Sequence, residues 1–223
     1  MKVQKKTIPV VNVSIGVKTH GLKAGKLSVF IELYNPNVIN PFVPVQSDKH
    51  HELYLEQILG QIEMCGDGCK EITITGPEPL FTPNIDELLK LLDSKEYFVE
   101  VDTFGNASIS DHRVKRTSTI AMLNKLYRPS NIRFLLYYSS GNSLYRRELE
   151  HLSPEDTFIC RIRSEEDLDE CIRLAKRHTQ ANICFVPVSA LIGPDVVMKR
   201  IAQEKLWRVK YQPSLQDIIT FNM

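Results

Sequence analysis

The chain has 223 residues, 43% of them hydrophobic and 25% charged, with a formal net charge of +1. That length and balance suffice for one globular domain with a sizeable core, spanning 1–223. A charge so near zero supplies no basic stripe for sequence-independent nucleic-acid binding, and no wholly apolar stretch of ~20 residues exists to span a bilayer.

The start, Met1 to Pro9, carries lysines but neither an apolar core nor a small-residue cleavage site, so no secretory leader is expected and a cytoplasmic location is. The first predicted strand runs from Leu27 to Tyr34. Asn35 to Val45 follows as a loop in which Pro36, Pro41 and Pro44 each fix φ and remove a backbone donor. A helix is predicted from Lys49 to Met64, its wide apolar set of Leu53, Leu55, Ile58, Leu59 and Ile62 suiting a place against a sheet.

Cys65-Gly66-Asp67-Gly68-Cys69 admits two readings. It is half of a metal site, with His50 and His51 upstream as further ligands, or a glycine-rich turn from helix to strand with two free thiols. No second paired motif accompanies it, which favours the turn. The cysteines number five, an odd count with no disulfide framework, and Cys160, Cys171 and Cys184 fall on predicted buried faces.

Glu71 to Thr75 is the next predicted strand, and Ile85, Leu88, Leu89 and Leu92 then recur at helical spacing behind Thr82-Pro83, an N-cap and first-turn proline. Further strands are predicted at Tyr97 to Asp102, Ile132 to Tyr138, Thr157 to Ile162, Ile183 to Val188 and Trp207 to Tyr211. Ser108 to Pro129 carries no clear period, and its charged run from Asp111 to Arg116 reads as a solvated loop, as does Ser139 to Asn142. A helix from Glu165 to about His178 opens on Ser164 with Asp167 three residues on, an acidic variant of the capping box, and buries Leu168, Cys171, Ile172 and Ala175. Strands alternating with helices predict an α/β fold with a mostly parallel sheet.

Four patches share an order with a known family. Thr19-His20-Gly21-Leu22-Lys23-Ala24-Gly25 is similar to an opening Q-G-E-G-x-x-x-G, and Phe30 to Pro44 is similar to F-[VI]-R-L-x-G-C-N-x-x-C-x-x-C-D. Thr73-Ile74-Thr75-Gly76-Pro77-Glu78-Pro79-Leu80 is similar to T-G-G-E-P-L, with Val101-Asp102-Thr103-Phe104-Gly105-Asn106 similar to E-T-x-G-T. Trp207 to Leu215 is similar to W-R-L-x-x-Q-x-H-K. Together they resemble the radical S-adenosylmethionine (SAM) family of 7-carboxy-7-deazaguanine synthases, of the queuosine pathway, over nearly the whole chain. The resemblance implies a partial, incomplete TIM-like barrel of about six mostly parallel strands with outer helices, and a homodimer.

It also implies site residues. Thr75, Gly76, Glu78, Pro79, Asp102 and Thr103 correspond to positions that line SAM, the candidate cofactor, with Glu78 facing an ammonium and Asp102 a ribose hydroxyl. His20, Ser139, Ser140 and Gln212 correspond to substrate positions. The departures are equally specific. Pro36, Asn40 and Val43 stand at the three cluster cysteines, so no iron–sulfur cluster is expected, since neither proline nor valine offers a thiolate's donor. Glu32 reverses the first-strand arginine, Pro44 replaces a magnesium-linked aspartate, and Ser214 and Leu215 replace the histidine and lysine of the tail. The expectation is a degenerate synthase-like pseudoenzyme that binds a small ligand or a protein partner. Two alternatives stay open: non-radical chemistry using Glu78, Asp102, His20 and Cys65, or a metal site completed by Cys65 and Cys69 or by a partner subunit.

Overall fold

The computed structural model describes residues 6–36, 38–39, 49–105, 108–109, 131–138, 148–178, 180–188 and 192–213. In chain order the elements are strands β1 (Thr7–Val17), β2 (Leu27–Leu33), β3 (Val38–Ile39) and β4 (His51–Tyr54), helix α1 (Leu55–Cys65), β5 (Glu71–Thr75), a 3-10 turn (Pro79–Phe81) and α2 (Ile85–Ser94). There follow β6 (Phe98–Thr103), β7 (Ser108–Ile109), β8 (Ile132–Tyr137), β9 (Thr157–Ile162), α3 (Glu165–Arg177), β10 (Asn182–Pro187), α4 (Pro194–Gln203) and β11 (Val209–Tyr211).

Nine strands form one sheet in the order β11-β10-β9-β8-β6-β5-β2-β1-β4. The run from β2 to β11 is mutually parallel, as the alternation of strands and helices predicts. On the far side of β2, β1 pairs antiparallel with β2, and β4 antiparallel with β1. Edges remain at β4 and β11, so the barrel is open, with helices on its outer face. Strands β3 and β7 pair separately, tying the loop after β2 to the loop after β6 by backbone alone.

Alternation along the strands sorts side chains onto two faces. The outward set, including Ile72, Ile74, Val99, Val101, Phe158, Cys160, Ile162 and Phe185, packs with Ile58, Leu88, Leu92 and Leu168 of the helices into the main core. The inward set, with Leu135, Tyr137, Ile159, Cys184 and Val186, forms a smaller cluster inside the barrel.

Three local expectations are corrected. The helix expected from Lys49 is divided: His51–Tyr54 extends the sheet edge beside β1, and the helix starts at Leu55, where the Gln57 side chain accepts from the Tyr54 backbone N–H at 2.8 Å. Thr82 does not cap α2. It ends the 3-10 turn, whose Leu80 and Phe81 are buried, and the helix begins behind Asn84, held at φ +61° with its side-chain amide donating to the Thr7 carbonyl at 2.9 Å. No strand was expected before Leu27, yet β1 runs for 11 residues. Pro9 and Gly16 obscure it in the sequence, and the pairing tolerates Pro9 next to a register irregularity between Val10 and Asn12. The capped helix α3 matches expectation: Ser164 Oγ accepts from the Asp167 N–H at 3.3 Å, and Asp167 in turn accepts from the Arg163 backbone and guanidinium.

Candidate site at the strand ends of the open barrel

The floor of the barrel is ionic. The connection from Lys18 to Lys26 crosses the N-terminal ends of the parallel strands, its backbone closed by Lys18–Lys26 and Gly25–Lys18 hydrogen bonds of 2.9 Å. Lys18, only 3% exposed, donates to Glu100 at 2.7 Å and lies 3.4 Å from Glu71, which Lys23 also reaches at 2.7 Å. A buried charge persists only when paired, and here each carboxylate meets an ammonium.

One inward position further along β6 stands Asp102. It accepts from the Tyr137 hydroxyl at 3.3 Å and from the Thr75 side chain. Enclosure, and secondarily the Glu100 charge, push its carboxyl up to about 7, although it keeps some exposure by bordering a cavity. Tyr137 stacks on Phe104 at 5.1 Å and meets the His20 ring edge-on at 6.0 Å, while His20 Nδ1 lies 2.8 Å from Thr19 Oγ1. Gly21 holds φ +84° and passes so close to β8 that a Cβ there would lie 2.9 Å from Leu135. Its N–H donates to the Gln212 side chain at 3.2 Å, which brings the two ends of the chain's site residues together.

Lys18, Thr19, His20, Phe30, Thr73, Glu100, Asp102, Leu135 and Tyr137 enclose a cavity of about 30 Å³. That is room for a water or two, far below the several hundred Å³ of a nucleoside-sized site.

At the rim of C-terminal strand ends Glu78 is 2% exposed and fully engaged. It accepts from Thr103 Oγ1 at 2.6 Å, from the Phe104 and Gly105 N–H groups at 3.0 and 3.1 Å, and from the Leu80 backbone. Burial raises its carboxyl to about 7 against the pull of those donors. It clasps the end of β5 to the end of β6, so an ammonium would compete with four hydrogen bonds already formed. Gly76, at φ +142°, approaches β2 so closely that a Cβ would lie 2.6 Å from the Leu33 carbonyl oxygen, which gives the Thr75–Leu80 turn a packing reason of its own. Pro79 opens the buried 3-10 turn.

The predicted site residues thus gather as three linked sets: Thr75 with Asp102, Glu78 with Thr103, and His20 with Gln212 through Gly21. Ser139 and Ser140 lie outside the described residues, as do Asn40, Val43, Pro44, Ser214 and Leu215. Lys18, Glu100, Tyr137 and Arg161 were not anticipated. For Glu100, Tyr137 and Arg161 the signal was a charged or hydroxylated residue at an inward position of a strand otherwise rich in apolar residues.

Cysteine supplies no replacement metal site here. Cys65 and Cys69 sit at the N-terminal ends of the strands, donating to the carbonyls of Ile62 and Glu71, whereas His50 stacks on Tyr34 at the C-terminal end of β2. The 11 residues of α1 separate them, roughly 16 Å at ~1.5 Å per residue. Among the described residues no group of three His, Cys, Asp or Glu side chains converges to hold a metal ion. The residues present do not fit a three-thiolate cluster, and no chemistry is routed through one. No helix among the described residues is long and apolar enough to cross a membrane.

The class is an open, mostly parallel α/β barrel with a lysine-braced floor and a T-G-P-E-P turn at its strand ends. No protein-family model matches the chain. The 7-carboxy-7-deazaguanine synthase of Clostridium acetobutylicum is 28% identical over 220 residues, 94% of this chain and 95% of that protein. The Haemophilus influenzae synthase is 28% identical over 100 residues, 45% of this chain and 46% of that one. The crystal structure of QueE from Escherichia coli superposes with a TM-score of 0.66 at 17% identity, over 92% of this chain and 94% of that one, a likeness of fold. Over nearly its whole length the chain is similar in sequence to a 7-carboxy-7-deazaguanine synthase and in fold to QueE.

Proposed function

We propose that this protein is a synthase-like pseudoenzyme that binds a small ligand at the C-terminal strand ends without iron–sulfur radical chemistry. The observation that carries the reading is the cluster segment: Pro36, Asn40 and Val43 stand at the three thiolate positions, while Cys160 and Cys171 lie in the outer core, Cys184 in the inner cluster and Cys65 and Cys69 at the opposite end of the sheet. SAM is the first ligand to test, because Thr75, Gly76, Glu78, Pro79, Asp102 and Thr103 share one rim. In the cytoplasm a closed homodimer is the proposed state, with a protein partner as the other candidate for binding.

The test is calorimetric titration of metal-analysed protein with SAM. Micromolar binding, weakened about 10-fold or more by Asp102→Asn, supports the reading. Absence of heat and of thermal stabilisation at saturating SAM removes SAM as the ligand and turns the search to protein partners. A second reading, acid–base chemistry, is favoured by one observation: Asp102, with its raised pKa, shares a cavity with His20, Lys18 and Tyr137. Cys65 is remote from that cavity and Glu78 is engaged, so this reading rests on Asp102 and His20.

A further inference from the structure

Among the described residues four arginines are seen to pair with a carboxylate: Arg133 with Glu155, Arg163 with Asp167, Arg173 with Glu170 and Arg200 with Asp169. Arg161 does not. It follows Ile159 by two positions on β9, and Ile159 belongs to the inner cluster while Cys160 and Ile162 belong to the outer core, so Arg161 faces the barrel interior. Its Nε is buried and meets no hydrogen-bond acceptor. The neighbouring position on β10 is Val186, and the Arg161 charge is felt by the Tyr137 hydroxyl.

The carboxylates that could neutralise it are committed elsewhere. Glu100 holds Lys18, Asp102 accepts from Thr75 and Tyr137, and Glu78 is filled by its clasp. A guanidinium stays charged at any ordinary pH and its planar fork matches a carboxylate. Left against Ile159, Val186 and the Tyr137 ring without an acceptor, it weakens the ligand-free fold.

We infer that Arg161 anchors the carboxylate of the bound small molecule. A carboxylate is the matching group, because Lys18 and Arg133 on the same wall already hold Glu100 and Glu155. This inference rests on the small-ligand reading above.

The experiment titrates wild type, Arg161→Met and Arg161→Lys with two matched pairs of probes, SAM with decarboxylated SAM and 6-carboxypterin with pterin, and records ligand-free melting curves. In at least one pair the carboxylated member binds wild type about 10-fold more tightly than its partner. That preference disappears in Arg161→Met, persists in part in Arg161→Lys, and ligand-free Arg161→Met melts no lower than wild type. Equal preference in wild type and Arg161→Met, or a lower melting temperature for ligand-free Arg161→Met, overturns the anchor and leaves ligand binding standing. No binding of any probe overturns both.

Discussion

Lys18 is the buried cation of the barrel floor: its ammonium pairs with Glu100 at 2.7 Å, while Glu71 is shared with Lys23. Lys18→Met strands a buried carboxylate, and denaturant titration is expected to show a loss of about 3–5 kcal/mol; a loss under about 1 kcal/mol would mean the pair is solvated. Asp102 and Glu78 give the pH signature. Each has its folded pKa raised to about 7, above the unfolded carboxyl range, so the native state holds the proton more tightly. Their contribution is complete below the unfolded pKa and is lost as pH rises through about 7. Between about pH 5.5 and about pH 8 Asp102 accounts for up to about 2 kcal/mol of that loss, less what solvent screening through the cavity removes. Urea titrations at the two pH values check this: Asp102→Asn should flatten the dependence, and an unchanged slope would mean Asp102 is ionised throughout.

At the scale of elements, local chemistry was legible where one signal dominated. Helix α3 was readable from Ser164, Asp167 and its apolar stripe, and Ser164→Ala is expected to cost about 1 kcal/mol in thermal or chemical unfolding. Residues 49–54 were misread because Leu53 and Leu55 fit helical and extended spacing alike, and pairing with β1 decided between them. Strand β1 was hidden by Pro9 and Gly16, whose cost is met by a two-sided ladder with β2 and β4. The Gly76 turn has a backbone reason, so Gly76→Ala should destabilise the fold, measured by melting temperature, with or without ligand. An unchanged melting temperature would show that the strand ends can separate without cost.

Across the whole molecule, the parallel order followed from alternating strands and helices, and the open barrel and the rim residues followed from motif resemblance. What the sequence could not carry was their commitment to one another: Glu78 as a clasp on Thr103 and the Phe104 and Gly105 amides, Asp102 as acceptor for Thr75 and Tyr137, and Arg161 left over. Those are distances between strands far apart in the chain. With Pro36, Asn40 and Val43 at the thiolate positions, we propose that this fold holds no cluster. The most direct test is iron and acid-labile sulfide content after anaerobic reconstitution with excess iron and sulfide, beside a synthase that carries the cysteine triad. The account predicts no stoichiometric cluster here and a full one in the control. A stoichiometric cluster in this protein whose spectrum responds to SAM would contradict it.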